Sequence, residues 1–172
     1  KEHRESRKNM ADDHIATYLN DHLAGSVVAL ELLEHLEAAH KGTPLESFFA
    51  GLRVDIEADR KELESLMNTL GISESRTRKA SAWLTEKVTE LKLRLDDSEA
   101  AGSLRLLESI EAVALGIDGK RALWRSLAAA AEVDPRLKAL DYERLERRAE
   151  EQRSRAETVR LDAAKKALAP VS

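Results

Sequence analysis

The chain is built of long stretches in which apolar residues recur at helical spacing, separated by very few helix breakers. Only 7 Gly and 3 Pro occur in 172 residues, too few to turn a β-rich fold. At 100° per residue each long stretch carries one apolar stripe. The first, about Asp12 to Lys41, aligns Ile15, Leu19, Leu23, Leu30 and Leu33. The second, to about Leu70, aligns Phe49, Leu52, Ile56, Leu63, Leu66 and Leu70. The third, about Ser103 to Ala131, aligns Leu104, Leu107, Ile110, Ala114 and Ile117. The fourth, from Pro135 to about Leu168, aligns Leu145, Ala149, Ala156, Val159 and Ala163. The small side chains of this last stripe predict close helix approach.

The breakers supply the punctuation. Gly42 predicts a left-handed stop for helix 1. Thr43-Pro44-Leu45-Glu46 then predicts a capping box with proline at the first helical position. Gly71 ends helix 2, so helices 1 and 2 form an antiparallel hairpin. Ser73 or Ser75 opens a shorter helix to about Leu95, and Asp96-Asp97-Ser98 with Gly102-Ser103 marks the next break. Gly116 and Gly119 lie inside helix 3 and weaken it by about 1 kcal/mol each relative to Ala. Asp134-Pro135 starts helix 4, giving a second hairpin. The expected fold is thus an all-α four-helix bundle of two hairpins joined by a long crossover containing an additional helix. It forms a single domain over residues 12–172, preceded by a frayed segment, 1–11.

Composition excludes several function classes. Charged residues make up 35% of the chain, yet the net charge is −4 with both signs interspersed, which argues against nucleic acid as a partner. The absence of cysteine excludes disulfides and thiol chemistry. No apolar run approaches the length of a membrane span, so no membrane association and a cytoplasmic location are expected. Ser26 lies one helical turn from His22, but no oxyanion hole accompanies them, and Gly116-x-x-Gly119 lacks the phosphate-loop pattern.

Each stripe is interrupted near its middle by polar residues. They are His22 and Ser26 on helix 1, Asp59 and Arg60 on helix 2, Glu111, Asp118 and Arg121 on helix 3, and Arg148 and Gln152 on helix 4. Counting equal distances from the turn at Gly42–Thr43 sets Ser26 level with Asp59 and Arg60. Counting from Val133 sets Asp118 level with Arg148, and Ala114 level with Gln152. These residues form the candidate site, a polar layer halfway along the bundle. Buried charge requires pairing. Asp59 with Arg60 or a cross-helix arginine, and Asp118 with Arg148, are the expected pairs.

The region from about Asp12 to Leu168 resembles the ferritin-like family, including its bacterial stress-associated members of unknown function. The resemblance rests on Asn20-Asp21-His22-Leu23-Ala24-Gly25-Ser26, Asp55-Ile56-Glu57-Ala58-Asp59-Arg60, Leu107-Glu108-Ser109-Ile110-Glu111 and Glu143-Arg144-Leu145-Glu146-Arg147-Arg148. It implies a site for two metals, with a Glu on each of two helices and Glu-x-x-His on the other two. The chain departs from that pattern at decisive places. Glu57-Ala58-Asp59-Arg60 has arginine where the family has histidine, and helix 4 has no histidine. Arginine stays protonated and does not ligate metal. Glu37-Ala38-Ala39-His40 does fit Glu-x-x-His, but it lies at the end of helix 1, where His40 and Lys41 complement the helix dipole. His22 reads as a hydrogen-bonded core or edge histidine.

The expectation is therefore a bundle with no cofactor, no metal and no catalytic residue, serving a structural or interaction role. The alternative is an iron- or manganese-binding protein with a carboxylate-rich mid-bundle site. A helical adaptor, engaging an unidentified protein through the alternating charges of helix 4, is a third reading. Trp83 is expected to pin the crossover helix to the bundle. Trp124 is expected either to do the same or to sit at a homodimer face.

Overall fold

The computed structural model describes residues 2–74 and 102–169, together with Glu86 and Thr89, with side chains from residue 9 onward. Of the expected crossover helix only Ser73, Glu74, Glu86 and Thr89 are described; the rest of it, with Trp83, lies outside the described residues. Four long helices make up the described fold: α1 (Glu2–Ala39), α2 (Pro44–Leu70), α3 (Gly102–Ala131) and α4 (Tyr142–Leu168). A 3-10 turn, Pro135–Leu137, precedes α4. There is no strand among the described residues, and no described helix is long and apolar enough to cross a membrane.

The helix ends follow local chemistry, with three departures from expectation. α1 begins at Glu2 rather than near Asp12, since neither glycine nor proline interrupts residues 2–24 and most of them are helix formers. At its other end Gly42 takes the left-handed conformation (φ 79°). The second departure is the capping box, which does not form: the Thr43 side chain makes no capping bond to α2. Glu46 Oε2 accepts from the backbone N–H of Gly42 at 2.7 Å, and the Thr43 hydroxyl donates back to the His40 carbonyl at 2.7 Å. These bonds satisfy a carbonyl at the end of α1 and an N–H of the turn itself. α2 ends in a Schellman motif: Gly71 (φ 68°) donates to the Asn68 carbonyl and Ile72 to that of Met67. Asn20 of α1 then donates to the Ser73 carbonyl at 3.3 Å, tying the chain beyond α2 to α1.

The third departure concerns α4. Asp134 caps the 3-10 turn rather than the long helix, and Asp141, accepting from Arg144 N–H at 3.0 Å, caps α4 itself. This two-step entry carries Leu137 and Tyr142 into the core, where the Tyr142 hydroxyl donates to the Leu137 carbonyl at 2.5 Å.

Charge ladders give the helix directions. Between α3 and α4 they join Glu111–Arg160, Asp118–Arg153, Arg121–Glu150 and Arg125–Glu146. Between α2 and α4 they join Asp55–Arg155, Asp59–Arg148 and Glu62–Arg144. Rising numbers on one helix meet falling numbers on the other, so both pairs are antiparallel. Asp12, near the start of α1, pairs with Arg136 just beyond the end of α3 at 2.8 Å, so α1 and α3 are antiparallel too. The bundle thus pairs α1 with α2 and α3 with α4, and lays α1 against α3 and α2 against α4. It follows that α2 and α3 run parallel.

The core is one apolar cluster drawing on all four helices. The stripe residues of α2 enter it as the spacing predicts, with Leu70 at its margin. α1 adds Val28, Leu32 and Leu36, because a straight helix drifts by about 20° per heptad and its buried face moves around a long element. α3 adds Val113, Leu123, Trp124 and Leu127, whereas Leu104, in its first turn at the end of the bundle, is 45% exposed. Trp124 is 1% exposed and belongs to the core, not to a surface available to a second copy. His40 also turns inward, its ring 5.7 Å from that of Phe49. Burial lowers its pKa and so disfavours the charged form that a dipole-complementing role requires.

Candidate functional site: a buried carboxylate layer

The inward residues of α2 are spaced three and four apart, and Asp59 occupies one of those positions between Ile56 and Leu63. Helical geometry therefore forces its carboxylate into the apolar interior, where it is 2% exposed. An isolated carboxylate there would be strongly destabilising. Three side chains from the second hairpin offset that cost. Arg148 Nε donates to Asp59 Oδ1 at 2.6 Å, and its Nη2 contacts the same oxygen. Gln152 Nε2 donates to Oδ2 at 2.9 Å, and Lys120 Nζ donates to both Asp59 Oδ2 and Gln152 Oε1. Both carboxylate oxygens and both ends of the Gln152 amide are therefore engaged.

The members lie at different depths. Gln152 is fully buried, while the side chains of Lys120 and Arg148 are 13% and 26% exposed. Burial lowers the Lys120 pKa; Asp59 opposes that shift and the neighbouring Arg148 adds to it. Arg148 stays partly exposed along its side chain, although its Nη2 is buried. Two cations thus share one buried carboxylate, and Gln152 Oε1 gives Lys120 a second acceptor.

Of the residues the sequence singles out, the structure brings Asp59, Arg148 and Gln152 together. The others lie elsewhere. His22 is part-buried on α1, edge-on to Tyr18 at 4.7 Å, with its pKa lowered by burial against an opposing effect of Asp21. Ser26 donates to the Leu23 carbonyl of its own helix at 2.6 Å. Arg60 pairs one turn along α2 with Glu64 at 2.6 Å. Glu111 and Asp118 are exposed and pair with Arg160 and Arg153. Arg121 reaches Glu150 at 2.6 Å and Glu146 at 3.6 Å.

Asp118 and Arg148, set level by counting from Val133, have different partners because the 3-10 turn and following loop move the hairpin's midpoint. The partner of Asp118 consequently falls five residues further along α4, at Arg153. Lys120 is the member that sequence reasoning missed. Its signal was present: it stands seven residues from both Val113 and Leu127, two buried positions of α3.

No group of three or more His, Cys, Asp or Glu that could hold a metal ion occurs among the described residues. The layer has a single carboxylate, and its lone pairs are directed at an ammonium, a guanidinium and an amide. A divalent ion would have to displace both cations and would still lack further ligands. The donor set therefore does not fit a di-metal centre. Comparisons with protein-family models, curated proteins and solved structures gave no match.

Proposed function

We propose that this chain is a ferritin-like bundle whose di-metal centre is replaced by an ion-pair and hydrogen-bond layer, and that its role is structural or interactive rather than catalytic. The observation that carries this reading is the buried Asp59 carboxylate, held at once by Lys120, Arg148 and Gln152. Such a layer presents no free base, nucleophile or open coordination position.

The helix directions support the layout. With α2 and α3 parallel, the end of one and the start of the other lie at opposite ends of the bundle. A single long crossover joins them in a ferritin-like order. Its span is the length of α2, whose 27 residues rise about 40 Å. The charges of α4 favour a structural over an adaptor role. Arg144, Arg148 and Arg155 reach α2, while Glu146, Glu150, Arg153 and Arg160 reach α3, so these groups are engaged within the chain.

Metal analysis of the natively purified protein tests the reading, together with an assay of oxygen-dependent iron oxidation. Background metal and no oxidation above the buffer rate are expected. Stoichiometric iron or manganese, near two equivalents per chain, would overturn it in favour of a carboxylate-rich metal site.

A further inference from the structure

The inward faces of three helices repeat every seven residues, and each repeat is broken once. On α2 one row reads Leu52, Asp59, Leu66; on α3 Val113, Lys120, Leu127; on α4 Leu145, Gln152, Val159. In each row a polar residue stands between two apolar ones. The polar three meet in a single cluster.

The apolar positions on the buried face of α4 are nearly indifferent to a shift of one repeat. Ala149, Ala156 and Ala163 are buried in a row of identical side chains, so displacement by seven residues, about 10 Å along the axis, sets alanine where alanine stood. In the direction that brings Arg155 to the place of Arg148, the solvent-facing Asp55 and Glu62 would meet Asp162 and Glu151, a screened and therefore small penalty. Gln152 would instead give way to Val159 or Leu145. On the facing helix Lys120 would give way to Val113 or Leu127, leaving Asp59 Oδ2, the oxygen that Lys120 and Gln152 hold, against apolar groups. A lone polar residue in a heptad seam is a known means of specifying register at some cost in stability.

We propose that Asp59, Lys120 and Gln152 act together as the register key for docking the two hairpins. They fix the axial position of α3–α4 on α1–α2, which the repeating apolar and alanine rows leave ambiguous. This deepens the structural reading of the layer. Metal content tests that reading and inter-helix distance tests the key, so either can fail alone.

The chain lacks cysteine, so Val54→Cys and Glu151→Cys, at exposed positions of α2 and α4, provide clean sites for spin labels. Distances are measured by pulsed electron spin resonance in the parent and in Asp59→Leu/Lys120→Leu/Arg148→Leu/Gln152→Leu. Ala122→Cys with Glu151→Cys reports the α3–α4 hairpin itself. The parent should give one narrow α2–α4 distance. The apolar variant should keep its helicity and an equal or higher melting temperature. Its α2–α4 distances should divide into populations displaced along the axis by about 10 Å, with the α3–α4 distance unchanged. A single unshifted α2–α4 distance in the variant would overturn the proposal, since Trp124 and apolar packing would then suffice to set register. Loss of helicity would also overturn it, because the key would then hold the fold rather than select among dockings.

Discussion

The two hairpins are built to the same plan from different materials. The α1–α2 hairpin fills its interior with large side chains, among them Phe49, Leu52, Leu33 and Leu36. In the α3–α4 hairpin, α4 contributes chiefly Ala149, Ala156 and Ala163 to the interior, flanked by charged residues that reach α2 on one side and α3 on the other. Alanine buries little area, so the apolar contribution per residue is small. Its compensation is close approach, which brings arginine and glutamate within reach of neighbouring helices. A large-residue seam is held by shape, and a small-residue seam depends on directional polar contacts at its margins.

Removing one anchor from each kind of packing should give the largest effects. Phe49→Ala should lose about 3–5 kcal/mol through the cavity it leaves. Asp59→Ala should lose a similar amount, about 3–5 kcal/mol, because it strands two cations in the interior. Urea unfolding measures both, and a further substitution separates them. Adding Lys120→Met and Arg148→Met should recover most of the loss in the Asp59 variant and none of it in the Phe49 variant. An Asp59→Ala loss below about 1 kcal/mol would mean that the layer is effectively solvated and that the two hairpins do not differ in kind.

A smaller effect should come from size. Ala156→Leu inserts bulk into the close seam and should destabilise by about 1–3 kcal/mol, whereas Leu52→Met in the large-residue hairpin should cost less than about 1.5 kcal/mol. Thermal unfolding of the two variants gives the order directly. Equal tolerance would remove close packing as the basis of the α4 stripe.

The smallest expected effect is a pH dependence. Burial holds the folded pKa of Lys120 below the ordinary 10.5, so between that lowered value and 10.5 the unfolded chain binds more protons than the folded one. In that window stability contributed by this group should rise with pH, and below it the penalty for burying the charged form is fully present. Urea midpoints from neutral pH to 10.5 should therefore slope upward more steeply in the parent than in Lys120→Met. A parallel pair of curves would show that Asp59 cancels the burial effect.

The helical segments were legible because their signals are local. Thr43-Pro44, Gly71 and Asp134-Pro135 mark ends through backbone geometry alone, and the bounds of α2 and α3 fall within a residue of those read from the chain. Phe49, Leu52, Ile56, Leu63 and Leu66 could be assigned to the core because one helical period governs both spacing and burial. Asp59, Arg148 and Gln152 could be singled out because each interrupts such a row. Lys120 was not legible because α3 buries a broader face than one stripe, and its polar residues at 118 and 121 stand closer to the stripe of Leu107, Ile110 and Ile117.

The amino-acid sequence by itself determined where the helices run, which faces are apolar, and that charged groups would have to be accommodated near the middle of the bundle. These depend on contacts within a few residues. Which charge meets which was decided only in the folded bundle. The short turn between Asp134 and Asp141 shifts one hairpin by a few residues, carrying Asp118 to Arg153 and leaving Arg148 for Asp59. A side chain's partner across a helix interface depends on axial register, and register is a property of packed helices that no single helix contains.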